Sequence, residues 1–211
     1  MANGQKRDKP PASPGRADWL CALGGLAFMV FFFQAASGIY LSLFFQPSPA
    51  DAWESIEFIE RDVRLGLFSR SLHRWGAFIL MSLLCLHVLR VIFRGAWRRG
   101  WLIWCSGILL FLLAAAFALT GYLLPWDFRA YWTVKTVGNW LDRLPLFAGA
   151  LKWFLFSDTA NGIVPVGRWF ALHILVLPLL AGVCFSAHFF LARGFRPGAP
   201  RRRGRFPDGD K

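Results

Sequence analysis

Acidic residues are scarce in this chain: twelve Asp and Glu stand against 24 Lys and Arg, and charged residues make up only 17% of the 211 positions. Cysteine is rarer still. Cys21, Cys85, Cys105 and Cys184 each lie inside an apolar run without a pairing pattern, so they outline no disulfide framework and report no redox compartment. Histidine occurs four times, always within apolar sequence. No cleavable signal peptide is evident. The N-terminal residues are polar and proline-rich, and the first apolar run is too long for a signal-peptide core. The net charge of +12 would suggest a nucleic-acid partner, but its distribution excludes that reading.

What is abundant is apolar length. Hydrophobic residues make up 56% of the chain, and the mean hydropathy is +0.43. Four runs, residues 19–45, 71–93, 101–126 and 169–192, are each long enough to cross a bilayer as a helix. A soluble core of this size has no use for four such runs. The sequence therefore predicts an all-α fold, a polytopic membrane four-helix bundle with short surface helices in its outer loops. The charges agree. The N-terminus, the loop at 90–100 and the tail from Arg193 carry 15 Lys and Arg and four acids, which puts +11 of the +12 on one side. By the positive-inside rule both termini are cytoplasmic. Residues 1–18 read as a disordered cytoplasmic segment, 19–193 as the transmembrane domain and 194–211 as a basic cytoplasmic tail. The run Arg201-Arg202-Arg203 is read as contacting lipid headgroups rather than RNA.

The histidines carry the chemistry. His73 and His87 are fourteen residues apart in the second run. Fourteen steps of about 100° fall about 40° short of four turns, so both rings leave one helix face, about 21 Å apart along the axis. One ring then lies near each edge of a hydrocarbon layer of about 30 Å. Histidine in a membrane span is a functional candidate by default, the alternative being core imidazoles bonded to neighbouring backbone. The fourth run repeats the pattern: His173 and His188 are fifteen apart, with Pro178 between them to kink the helix and absorb the extra residue. Topology pairs His73 with His173 outside and His87 with His188 inside. Two such pairs can sandwich two stacked planar cofactors, and imidazole is a common axial ligand of haem iron. Zinc fits less well, because each level offers two histidines and no matching cysteine or carboxylate.

Other residues fit the same reading. Gly24 and Gly38 in the first run are fourteen apart, as are Gly107 and Gly121 in the third. These glycines are expected to leave bare backbone beside a flat macrocycle at two levels. Arg70, Arg74 and Arg90 lie within one turn of a histidine and are read as charge partners of haem propionates or as structurally paired. In the first outer loop, Trp53, Ile56, Ile59 and Val63 recur at helical spacing among acids, predicting an amphipathic surface helix. The long loop at 128–167 holds two candidate short helices, 128–141 and 146–156.

Six segments carry a resemblance to a known family: Leu23-Gly24-Gly25, Arg70-Ser71-Leu72-His73-Arg74-Trp75, Leu86-His87-Val88-Leu89-Arg90, the run from Thr120 through Pro125-Trp126-Asp127, Tyr131-Trp132-Thr133-Val134-Lys135 and Arg168-Trp169-Phe170-Ala171-Leu172-His173. Together they resemble the N-terminal half of the cytochrome b family of quinol–cytochrome c oxidoreductases, in its four-helix b6 form. The fifteen-residue gap in the last helix is also similar to that form. The resemblance implies two bis-histidine haems b, the outer of lower potential and the inner of higher. Quinol oxidised at an outer site gives one electron to a Rieske iron–sulfur protein, and the other crosses the haems to a quinone inside.

It implies partners as well: a three-helix membrane protein similar to subunit IV, the Rieske protein and a c-type cytochrome, in a homodimeric complex among membrane lipid. The family's Pro-Glu-Trp-Tyr motif is absent here, so a subunit IV-like partner must complete the outer quinol site, with residues 128–137 contributed by this chain. Arg193 matches an arginine near the inner quinone site. The b6 form attaches a third haem through a cysteine just before Leu-Gly-Gly. Here that position is Ala22, and Cys21 lies one residue earlier, about 100° round the helix. Cys21 is therefore read either as a buried structural thiol or, with a local bulge, as the anchor of a third, covalently attached haem. The N-terminal segment also lacks the family's amphipathic helix. The expected location is a bacterial inner membrane or a thylakoid. Two alternatives stay open: the same haem wire serving a Rieske-free complex, with a dehydrogenase or a multihaem cytochrome, and a haem-free membrane scaffold.

Overall fold

The computed structural model describes residues 22–95, 100–143, 149, 153 and 166–193. The predicted terminal segments, Cys21 and most of the candidate helix at 146–156 lie outside the described residues. All regular structure among the described residues is helical. Four helices are long and apolar enough to cross a membrane: α1 (Leu23–Ser42), α3 (Gly66–Phe93), α4 (Trp101–Leu123) and α6 (Val166–Arg193). Two shorter ones lie in the connections, α2 (Ala52–Arg61) and α5 (Phe128–Leu141). The structure is thus a membrane four-helix bundle with surface helices.

Antiparallel neighbours pack in two pairs, α1 with α3 and α4 with α6, and the pairs meet each other over much less surface. One buried polar residue locks the first pair. Gln34 Nε2 donates to the His73 carbonyl at 2.7 Å, and a Cβ at Gly76 would come within 2.6 Å of Gln34 Oε1. Glycine at 76 is therefore what lets a glutamine cross between two membrane helices with its hydrogen bond made. The spans otherwise bury little: only 6% of the most apolar stretch of α3 is covered. Phe32, Ile39, Phe78, Leu112 and Phe190 all point outward. That surface is matched to hydrocarbon rather than water.

The true core lies at one end of the bundle, under the connections. Ala52, Leu123, Ala130, Val134, Leu141, Val166 and Trp169 form one buried cluster. The face of α5 that enters it, residues 130, 134 and 141, has helical spacing, and α5 opens with Asp127 accepting from the Ala130 N–H at 2.8 Å. In α2, Ile56 and Ile59 are buried as the amphipathic pattern predicts. Trp53 is not on that face. It stands half exposed, because the buried stripe runs through Ala52, Ser55, Ile56 and Ile59, and Trp53 lies to one side of it, about 100° round from Ala52. Arg70 at the start of α3 is ion-paired with Glu60 of α2, and the Tyr40 hydroxyl donates to the Arg64 carbonyl. Both contacts tie this connection to the bundle.

The turn from α2 into α3 is the tightest point of the backbone. Leu65 adopts left-handed φ of 60°, and a Cβ at Gly66 would lie 1.8 Å from the Ile59 carbonyl oxygen. A backbone atom cannot yield as a side-chain tip can. Gly66→Ala is expected to cost at least about 1–3 kcal/mol through overpacking. Gly25→Ala, with nothing within 4 Å, serves as the neutral control. Thermal unfolding of both variants in one detergent checks the contrast.

Candidate functional site

Each histidine meets a glycine on the antiparallel neighbour. A Cβ at Gly38 would lie 3.1 Å from His73 Cε1, and one at Gly24 would lie 3.1 Å from His87 Cε1. In the other pair, Gly121 stands 2.8 Å from His173 Cε1 and Gly107 stands 3.3 Å from His188 Cε1 on the same measure. The first neighbours of these glycines are thus the imidazoles, where the sequence predicts the edge of a macrocycle. A helix carrying two rings fourteen residues apart needs two bare patches fourteen apart on the helix beside it, and α1 and α4 supply them.

These contacts also fix the levels. His73 and His173 lie towards the end bearing α2 and α5, while His87 and His188 lie towards the opposite end. The His73 and His173 ring centroids are 6.1 Å apart with planes inclined at 70°. A metal–imidazole bond is about 2 Å long, so two imidazoles on opposite sides of one metal have centroids about 6 Å apart. The separation fits one metal between two rings, and the ring planes are free to differ about that axis. His87 and His188 occupy the second level, each against the glycine of its neighbouring helix. Among the described residues no group of three or more His, Cys, Asp or Glu gathers as an all-protein metal site would require. Two ligands per level suits a metal whose remaining positions are filled by a macrocycle.

The fifteen-residue gap in α6 is resolved at His173 itself. Residues Leu172–Val176 form a π-helical turn, in which the Leu177 N–H bonds the Leu172 carbonyl five residues back. Pro178 has no N–H to offer the Ile174 carbonyl, so the α-helical ladder is already interrupted there. The wide turn takes up one residue, and fifteen positions then span the register of fourteen α-helical steps. The absorbing element is this turn, with Pro178 just beyond it.

Three residues at the site escape a search for ligands alone. Ser37 Oγ lies 3.0 Å from His73 Nδ1, Thr120 Oγ1 lies 3.0 Å from His173 Nδ1 and Ser106 Oγ lies 2.8 Å from His188 Nδ1. Each hydroxyl also sits on a carbonyl of its own helix: Ser37 on Phe33 at 2.9 Å, Thr120 on Ala116 at 2.8 Å and Ser106 on Ile103 at 2.9 Å. A hydroxyl has one proton, and a hydroxyl–carbonyl contact requires it. The ring must then be the donor in the other contact, Nδ1–H to hydroxyl oxygen, which leaves Nε2 with its lone pair. That is the tautomer a metal ligand needs. The signal in the sequence is a hydroxyl residue directly before Gly38, Gly107 and Gly121.

Aromatic rings pack between the levels. Phe117 meets His173 edge-on at 5.5 Å, and Phe31 bridges Phe117 at 5.7 Å to Phe185 at 5.1 Å. Of the arginines, Arg70 is committed to Glu60, Arg74 is exposed beside His73, Arg90 is half-buried one turn past His87, and Arg193 is exposed at the last position of α6. On the outward face of α5, Trp132, Thr133, Thr136 and Val137 line a shallow groove of about 250 Å³, with Lys135 Nζ 5.0 Å above the Trp132 ring.

Fold and site together define a helical membrane protein with histidines paired across its interior at two levels. Comparison with known proteins names the class. The family model described as cytochrome b/b6/petB matches residues 10–196. The chain is 35% identical over 181 residues to cytochrome b6 of Gracilaria tenuistipitata var. liui, covering 85% of this chain and 84% of that one. It is 34% identical over the same length to cytochrome b6 of Chlamydomonas reinhardtii. A solved chain of a hyperthermophilic respiratory complex III superposes with a TM-score of 0.75 at 29% identity, over 90% of this chain and 52% of that one. The chain thus spans about half the length of that solved chain. It belongs to the cytochrome b/b6 family, an electron-transport family whose members bind haem b, and it is an integral membrane protein.

The glycine contacts rank themselves. At Gly121 an added methyl group meets His173 at 2.8 Å, and at Gly107 it meets His188 at 3.3 Å. Gly121→Ala is expected to displace its ring and cost about 1–3 kcal/mol, with Gly107→Ala costing less. Thermal unfolding of the two variants side by side tests the order.

Proposed function

We propose that this chain is the di-haem cytochrome b subunit of a membrane quinol–cytochrome c oxidoreductase of the bc/b6f type. The observation that carries the proposal is the opposed His73–His173 pair, with ring centroids 6.1 Å apart. His87 and His188 lie one level further along the same helices, against Gly24 and Gly107. In His73, His173 and His188 the Nδ1–hydroxyl contact leaves Nε2 with its lone pair for a metal. Haem held there supplies single-electron transfer across the bilayer, and the chain supplies orientation, a dry apolar sheath and local charge. Arg74 and Arg90 are placed within one turn of a ligand and are assigned to propionates or to lipid phosphate. Arg70, neutralised by Glu60, is assigned to structure.

The excess of Lys and Arg at the chain ends and around residues 90–100 orients the α2/α5 end outward, so His73 and His173 serve the outer haem and His87 and His188 the inner. Residues 128–137 contribute to the outer quinol pocket, and the groove along Trp132, Thr133 and Thr136 supports this. A three-helix partner similar to subunit IV completes that pocket. A Rieske protein takes the first electron, a c-type cytochrome follows it, and Arg193 borders the inner quinone site. The chain works as a subunit of this complex.

The test is a reduced-minus-oxidised spectrum of the purified protein, with haem extracted into acidified acetone and quantified. Two extractable haems b per chain are expected. His73→Ala and His173→Ala should abolish the same one, and His87→Ala and His188→Ala the other. Haem retained by the polypeptide after extraction would assign Cys21 as a covalent anchor. A folded preparation with no haem at all would refute the proposal.

A further inference from the structure

Three of the four imidazoles are held by a hydroxyl on the neighbouring helix, and the fourth is not. The residue before Gly38 is Ser37, before Gly107 it is Ser106 and before Gly121 it is Thr120. Before Gly24 it is Leu23, a buried side chain with no acceptor to offer. His87 Nδ1 is accordingly buried with no hydrogen-bond partner among the described residues, although its ring sits against Gly24 as the other three sit against theirs. The His73–His173 level therefore has both rings bonded, and the His87–His188 level has one.

We propose that Ser37, Thr120 and Ser106 are positioning residues that set the donor strength of their imidazoles, and that Leu23 is the site where this support is withheld, so that hydroxyl bonding grades the two levels in redox potential. The physical basis is direct. A ring that donates Nδ1–H to an oxygen becomes a more basic ligand at Nε2. A more basic axial ligand favours the oxidised metal and lowers its potential. Two bonded rings at the level near α2 and α5 then give the lower potential, and one bonded ring at the other level gives the higher. Electrons run downhill from the first level to the second. This inference rests on the ligation assigned above.

The experiment measures midpoint potentials of the two haem species by spectroelectrochemistry in the holoprotein, with haem content determined for every variant. His73→Ala and His87→Ala assign each species to its level and test ligation separately: a full haem spectrum in both would mean that the ligation assignment has failed, and this inference with it. With ligation established, Leu23→Ser is expected to lower the potential of the His87–His188 species alone, and Ser106→Ala to raise it. Ser37→Ala and Thr120→Ala should raise the other species alone, and Thr120→Ser should restore the value that Thr120→Ala shifts. Leu23→Ala removes the same bulk without adding an acceptor and should leave the potential in place. The inference is overturned if the alanine variants at 37, 106 and 120 keep full haem and wild-type potentials, or if Leu23→Ala shifts the potential as far as Leu23→Ser. The hydroxyl variants decide the matter even if Leu23→Ser does not fold.

Discussion

The contact on which the rest of the molecule depends is an imidazole edge lying on bare helix backbone. It occurs four times, and each instance constrains two helices at once. A ring on α3 can reach its place only where α1 has no side chain, and the same holds between α6 and α4. Because each pair makes this contact twice, fourteen α-helical steps apart, the sliding and rotation of the two helices are both fixed. Small residues are the usual means of close approach between membrane helices, where lipid tails provide no hydrophobic drive to bring them together. Here the glycines accept a functional group instead of a second backbone. At three of the four, an adjoining hydroxyl then decides which ring nitrogen carries the proton.

The bundle's two ends are built on different physics. Towards α2 and α5 there is a conventional buried core around Trp169 and Leu123, with an N-capped helix and the ion pair between Arg70 and Glu60. Between the levels of histidines the filling is aromatic, through Phe31, Phe117 and Phe185. The long helices otherwise turn phenylalanine, leucine and isoleucine outward. This surface can be stable only in hydrocarbon, which demands internal satisfaction of every backbone group and so permits little besides helix. Gln34 and Gly76 show the same rule at side-chain scale, since the one buried amide between α1 and α3 arrives with its acceptor already in place.

Much of this was legible in the residues themselves. Run length identified four spans, and the 14/15 spacing of four histidines identified two levels. The paired spacing of Gly24 with Gly38 and of Gly107 with Gly121 marked the faces that meet them. Residues 128–141 read as a helix and are one. Other features were out of reach. Trp53 shares the apolar spacing of Ile56 and Ile59 and yet is exposed, because the stripe that α2 turns to the bundle is centred on Ala52, Ser55, Ile56 and Ile59. Arg70 read as a partner of a propionate or as structurally paired, and only the structure names Glu60 on another helix, ten residues away in the chain, as its partner. Proline signalled an irregularity in α6 without saying that it would be a π-turn, or that it would coincide with a histidine.

By itself, then, the sequence determined the class of the molecule, its four spans and their order, and singled out four histidines as candidate ligands, because these follow from hydropathy, length and periodicity along a single helix. Only the tertiary structure decided which ring nitrogen is bonded and by which hydroxyl, and that His87 Nδ1 is buried without one. Ser37, Ser106 and Thr120 lie 36, 82 and 53 residues from the histidines they hold. Periodicity describes the face of one helix. It carries no information about which atom of a neighbouring helix stands opposite, and hydrogen bonds between helices are settled there.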